Sequence, residues 1–185
     1  MAVPDRSTAR HLLDEAGLPD GIIVHSEGVA RVAVAAAALL SEAQIPINGA
    51  LVEAAALLHD IDKVEIRRDG GEHGTVGARR LETAGYEELA MPVASHPISC
   101  LLEDDRFPRG WPSVVVAIAD RHVAQEFMTV DERLDDMKLR HPEFADEIEA
   151  ARPPAHALEA ELAEVVGLSV DDLVTRLRRA WEAGA

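Results

Sequence analysis

The sequence predicts an all-α protein, a helical bundle with a helical appendage at its C-terminal end. Three observations predict it. Apolar residues make up 48% of the 185 but aromatics only 3%. They are chiefly Ala, Leu and Val, which suit close-packed helices better than a β-sandwich. Apolar positions recur at helical spacing, as at 51, 54, 55, 58 and 61. Capping signals precede several of the runs.

In chain order, residues 5–16 read as a short helix with Ser7 or Asp5 as its cap. Residues 22–41 form a long Ala/Val helix carrying His25 near its start. "IPINGALVEAAALLHDI" is a helix capped near Asn48, and "RRDGGEHG" after it is a loop. A further helix runs from about Thr75 to Thr83. "AGYEELAMPVASH" gives a turn, a short helix and His96. "DDRFPRGWPS" is a loop broken by Pro108, Gly110 and Pro112. "SVVVAIADRHVAQEF" could be a strand, but its length and helical neighbours favour a buried helix. Thr129 with Glu132 opens a capped helix. "ARPPAH" breaks the chain near 153. A final pair follows, the second helix capped by Ser169, with acids in its first turn and arginines in its last. Residues 1–21 are thus an N-terminal helix, 22–140 the core, and 141–185 an extension that packs on the core or on a partner subunit. A homodimer is therefore one expectation.

The length is that of one ordinary domain. One cysteine, Cys100, allows no internal disulfide and is compatible with a reducing cytoplasm, the expected location. The first twenty residues are charged and lack a signal-peptide core. The run "VARVAVAAAALL" contains Arg31 and is too short to span a bilayer, so no membrane role is expected. A net charge of −16 argues against binding nucleic-acid polymers. A phosphorylated substrate would need local positive charge, and a metal ion is the usual device.

Four of the eight histidines, His25, His59, His73 and His96, sit at helix ends or adjoining loops. Asp60 follows His59, and Asp120 interrupts the apolar run "VVVAIAD". A carboxylate in such a run is costly to bury without a cation or donors beside it. Imidazoles and carboxylates together suit a divalent transition ion such as Mn, Fe, Co, Ni or Zn. Lys63, four positions after His59 and three after Asp60, projects on their face and can meet a phosphate. Asp62 can orient His59 or hold a metal-bound water. Arg121 and Arg133 are candidates to reach substrate or to pair with acids. Glu72 is a loop acid that could transfer protons. His11, His122, His141 and His156 are read as ordinary, with His122 turned away from Asp120. Trp111 and Trp181 are read as packing residues.

The pieces "VHSEGVA", "AALLHDIDK", "EHGTVGARRL", "ASHPI" and "AIADRHV" stand in the order His, His-Asp, His, His, Asp, and "DER" follows at 131–133. In this the sequence resembles the HD-domain superfamily of metal-dependent phosphohydrolases, over about residues 22–140. The resemblance implies an HD-domain helical bundle in which His25, His59, Asp60 and Asp120 bind one metal. His73 and His96 would hold a second, with Asp60 bridging. It implies hydrolysis of a phosphoester or phosphoanhydride of a small, nucleotide-like substrate by metal-bound hydroxide. Asp60 and Lys63 would be catalytic and Lys63 would bind substrate; Asp62 is this chain's own further catalytic candidate, and Arg121 and Arg133 are substrate-binding candidates for which pairing with acids is the favoured role. Relatives that are mixed-valent di-iron oxygenases offer a second reading, and a non-catalytic regulatory module that keeps its metal a third. Where many relatives have Ile-Gly after the His-Asp pair, this chain has Ile61-Asp62.

Overall fold

The structure, a computed structural model, describes residues 3–184. They are helical throughout, and no strand occurs among them beyond one isolated bridge between Val123 and Phe127. Helix α1 spans Arg6–Glu15, and its cap is Asp5, whose Oδ1 accepts the Thr8 N–H at 2.8 Å. Helix α2 spans Asp20–Glu42, and α3 spans Gly49–Leu58 with Asn48 as its cap. Helix α4, Lys63–Asp69, was not expected, and its last three residues fall in the segment read as a loop. Its Glu65 and its last-turn Arg67 and Arg68 complement the helix dipole, and Gly70, at φ +79°, ends it. Helix α5 spans Thr75–Thr83. A 3₁₀ turn leads into α6, Ala90–Ala94, and a second, Ile98–Leu102, follows it.

Helix α7, Trp111–His122, differs from expectation at both ends. It starts inside the expected loop because Pro112 lies in the first turn, where its missing N–H is not needed. It stops at His122, where the chain folds back so that Met128 N–H reaches the His122 carbonyl at 2.8 Å. Helix α8, Val130–Arg140, has the reciprocal Thr129/Glu132 capping box. Helix α9 spans Ala145–Ala150 and α10 spans Arg152–Val165. The "ARPPAH" proline pair is the first turn of α10 and not a break within it. Helix α11, Val170–Glu182, is capped by Ser169.

Helix α2 is the central element, packed against α3, α7 and α11. Its buried face is Val29, Ala30, Val32, Ala33, Ala36, Ala37 and Leu40, and small side chains let the neighbours come close. Gly28 sits at the tightest crossing: a Cβ there would meet Val123 Cγ1 at 2.9 Å and Trp181 Nε1 at 3.3 Å. By length and composition α2 could cross a membrane, more than its short alanine run suggested; half of that window is buried inside the bundle. Helix α3 is buried from Leu51 to Leu58 except at Glu53, and α7 from Ser113 to His122. The terminal segments share this core, α1 through Ala9 and Leu13, α10 and α11 through Leu158, Leu162, Leu173 and Leu177. Three buried helices thus converge, and the chemistry lies where they end.

Candidate metal centre

Helix α3 tightens as it ends. Ile61 N–H bonds to Leu58 O and Lys63 N–H to Asp60 O, both three residues back. In such a 3₁₀ turn residues i and i+3 eclipse, so Lys63 Nζ comes to 2.8 Å from Asp60 Oδ2. His59 and Asp60 are thereby held inside the protein, 0% and 1% exposed. Helix α2 brings His25, α7 brings Asp120, the glycine loop before α5 brings His73, and the end of α6 brings His96.

These six side chains meet around Asp60. His25 Nε2 is 3.1 Å from Asp120 Oδ1, 3.2 Å from His59 Nε2 and 3.7 Å from Asp60 Oδ2. His59 Nε2 is 3.4 Å from that same oxygen. On the other side, Asp60 Oδ1 lies 3.2 Å from His73 Nε2 and 3.6 Å from His96 Nε2, which are 3.1 Å apart. Ligands bonded to one ion at about 2.0–2.1 Å stand roughly 3–3.4 Å from each other. Both sets have nearly that spacing.

The ring tautomers point the same way. His59 donates its Nδ1–H to Ala56 O at 2.7 Å, and His96 donates to Val93 O at 2.6 Å. Each therefore presents a bare Nε2 lone pair inward. Burial pushes the His59 imidazole down to about 3 and lowers His96 as well, so both are neutral near pH 7. Burial opposes charge on Asp60, yet His59 and Lys63 beside it hold its carboxyl well below the usual carboxylate range. Burial likewise opposes charge on Asp120, which Arg121 and His25 keep ionised. Both oxygens of Asp60 are buried without a well-aligned hydrogen bond, and Lys63 Nζ, 2.8 Å from Oδ2, is the permanent cation beside them. Lone pairs on nitrogen facing lone pairs on oxygen in a buried space fit a cation between them.

Asp62 does not orient His59, as had been one expectation. It swings across to the returning loop, where its Oδ1 lies 2.7 Å from His73 Nδ1. Its Oδ2 accepts the N–H of Gly74 at 2.7 Å and of Gly77 at 2.9 Å. Helix α5 has no capping side chain of its own, so Asp62 caps it from outside. The loop needs glycine to reach this position: Gly74 has φ +81°, and a Cβ there would lie 2.9 Å from the Val93 carbonyl oxygen. Burial disfavours a charge on His73, but the Asp60 and Asp62 carboxylates beside it outweigh that and push its pKa up to about 9.

Arg121 pairs with an acid, the favoured of its two expected roles, and is not available for substrate. It is 4% exposed, with Nη1 2.5 Å from Asp120 Oδ2 and Nη2 donating to the His96 carbonyl, so it positions two candidate ligands. Arg133 does stand at the mouth, 3.9 Å from Asp120 Oδ1 and 3.2 Å from Asp136. Glu72 is engaged by Arg106 and Thr75, and Arg106 also holds the His73 carbonyl, which favours a structural role over proton transfer. Arg106 gave no signal in the sequence. His141, read as ordinary, lines the cleft over the centre together with Arg67 and Arg140. His122 does turn away, stacking on Phe127.

A family model for the HD domain matches residues 22–124, which hold all six candidate ligands. The chain belongs to the HD-domain family. HD domains bind divalent metals, and most are metal-dependent hydrolases. The buried groups His25–His59–Asp120 and His59–Asp60–His96 are compatible with that property. The HD match starts with α2 and ends just past α7, so α8 to α11 lie outside it. No curated protein and no solved structure matches the chain.

Proposed function

We propose that this protein is a phosphohydrolase that cleaves a phosphoester or phosphoanhydride of a small, nucleotide-like substrate. One observation carries the reading: each oxygen of buried Asp60 faces two imidazole nitrogens, and beyond Lys63 neither oxygen has a well-aligned protein partner. His25, His59, Asp60 and Asp120 would hold one divalent ion, and His73, His96 and Asp60 a second. When bound, such ions supply an acidified water and screen charge on the phosphoryl group.

The chain's own residues supply the rest. Lys63, about one-third exposed, sits at the mouth and offers a positive charge to a non-bridging phosphoryl oxygen. Arg133 offers a second from α8 while its partner Asp136 restrains it. Arg121 and the carbonyls of Ala56 and Val93 hold the ligands in place, so little reorganisation accompanies binding. The burial of His59 and Asp60 keeps bulk water from competing.

The test is a substrate panel with the purified protein loaded with Mn, Fe, Co, Ni or Zn. Release of phosphate or a phosphomonoester, lost in Asp60→Ala, is the expected result. No turnover of any nucleotide or phosphoester, or dioxygen consumption in its place, would overturn the reading.

A further inference from the structure

The cleft over the centre has two arms of different chemistry. The arm beside His25 has a volume of about 370 Å³ and is lined by Lys63, Arg67, Arg133, Arg140 and His141. Its one acid is Asp60, already engaged at the centre. This concentration of positive charge stands in a chain with 34 acidic and 18 basic residues. The other arm, about 460 Å³, runs past His73 and His96 along Ile66, Ile98, Met137 and Phe144. Asp60, Lys63, Arg67, Arg133, Met137 and His141 line both arms, so the centre lies where they join; Arg140 belongs to the first arm alone, and Ile66, Ile98 and Phe144 to the second.

The cations differ in how free they are. Arg140 is paired with Asp136 at 2.9 Å, and Arg133 with the same carboxylate at 3.2 Å. Arg67 is exposed and has no ion pair or hydrogen bond among the described residues. It lies one turn beyond Lys63 on α4, hence on the same helix face, a step of about 6 Å along the axis. Lys63 points at the centre, and Arg67 is the next positive charge outward.

We propose that the arm beside His25 is a second phosphate subsite, with Arg67 as its specificity-determining residue. The preferred substrate then carries at least two linked phosphoryl groups, with its organic part along the apolar arm. This rests on the phosphohydrolase reading and narrows it. An arginine can also lie at a helix C-terminus only for the dipole's sake, and that role would leave anion binding unchanged.

The experiment is calorimetric titration of the manganese-loaded protein, without free metal, by inorganic pyrophosphate and by orthophosphate. The proposal expects pyrophosphate to bind at least about tenfold tighter than orthophosphate. Arg67→Gln should remove about tenfold of the pyrophosphate affinity and move orthophosphate less than about twofold, and Arg67→Lys should restore part of the loss. Thermal melts of the variants check that they fold. Equal affinities for the two anions, or an Arg67→Gln variant that weakens both alike or neither, would overturn the subsite. Failure of both anions to bind the loaded wild-type protein would overturn the phosphohydrolase reading as well.

Discussion

Asp120 and His122 leave the last turn of α7 in opposite directions, and the two buried clusters they enter are made of the same parts. His122 is fully buried, with Nδ1 2.8 Å from Met128 O and Nε2 2.9 Å from Glu159 Oε1. Glu159 Oε2 faces His156, which in turn meets Asp131 at 2.9 Å. There no carboxylate oxygen meets more than one imidazole, and the groups run as a chain of pairs across α7, α8 and α10. At Asp60 two imidazoles face each oxygen, and nitrogen faces nitrogen at 3.1 and 3.2 Å. The metal-compatible groups of the described residues lie only at the second place. Burial, residue type and a carboxylate oxygen without a well-aligned hydrogen bond are common to both clusters. The number of imidazoles that converge on one carboxylate separates them.

The sharpest way to break the comparison is to remove the two central acids in turn. Asp60→Ala should abolish metal binding at both positions and reduce turnover by about a thousandfold or more. Elemental analysis and steady-state assay read this. Glu159→Ala should leave metal content and turnover unchanged but lower unfolding stability by about 1–3 kcal/mol, because His122 stays buried without its partner. A Glu159→Ala protein that lost its metal would show that the clusters are not distinct.

Asp62 separates ligand positioning from helix capping. Asp62→Asn keeps an oxygen for Gly74 and Gly77 but no longer draws the His73 proton. It should weaken the second ion about 10–100-fold, seen by competition titration, with the first ion unaffected. Asp62→Ala should add about 1 kcal/mol of lost stability from the α5 cap, measured by denaturant unfolding. Equal effects of the two variants on both readouts would contradict this division.

A smaller effect follows from His73. Its pKa is raised from 6.5 to about 9 by the two carboxylates. In the metal-free protein that contribution to stability is full below pH 6.5 and is lost as pH rises through about 9. Occupying the second position must expel the proton. At pH 7.5, calorimetry in buffers of different ionisation enthalpy should show about one proton released, and His73→Gln should remove it. The His122 cluster, with no ion to bind, should contribute none.

Much of the fold was legible because local signals agreed with it. The caps at Asn48, Thr129 and Ser169 and the apolar spacing before His59 each mark a helix that the structure contains. Helix α4 was hidden because its charged residues and the following glycines read as loop, and none of its residues is buried to mark an apolar face. The six candidate ligands were visible only through the order of their motifs; spacing alone could not say that His73 returns to Asp60. Asp62 was ambiguous because its partners lie eleven to fifteen residues on, across a loop whose path depends on positive-φ glycines. Arg67, Arg140 and His141 look like ordinary surface charge until the bundle places them over one cleft.

The central claim is that Asp60 joins two ligand sets around two ions. Anomalous diffraction from crystals of the metal-loaded protein, collected at the absorption edge found by elemental analysis, tests it most directly. Two peaks are expected, one bounded by His25, His59 and Asp120 and the other by His73 and His96, with an oxygen of Asp60 toward each. No peak there, or a single peak in the His122–Glu159 cluster, would contradict it.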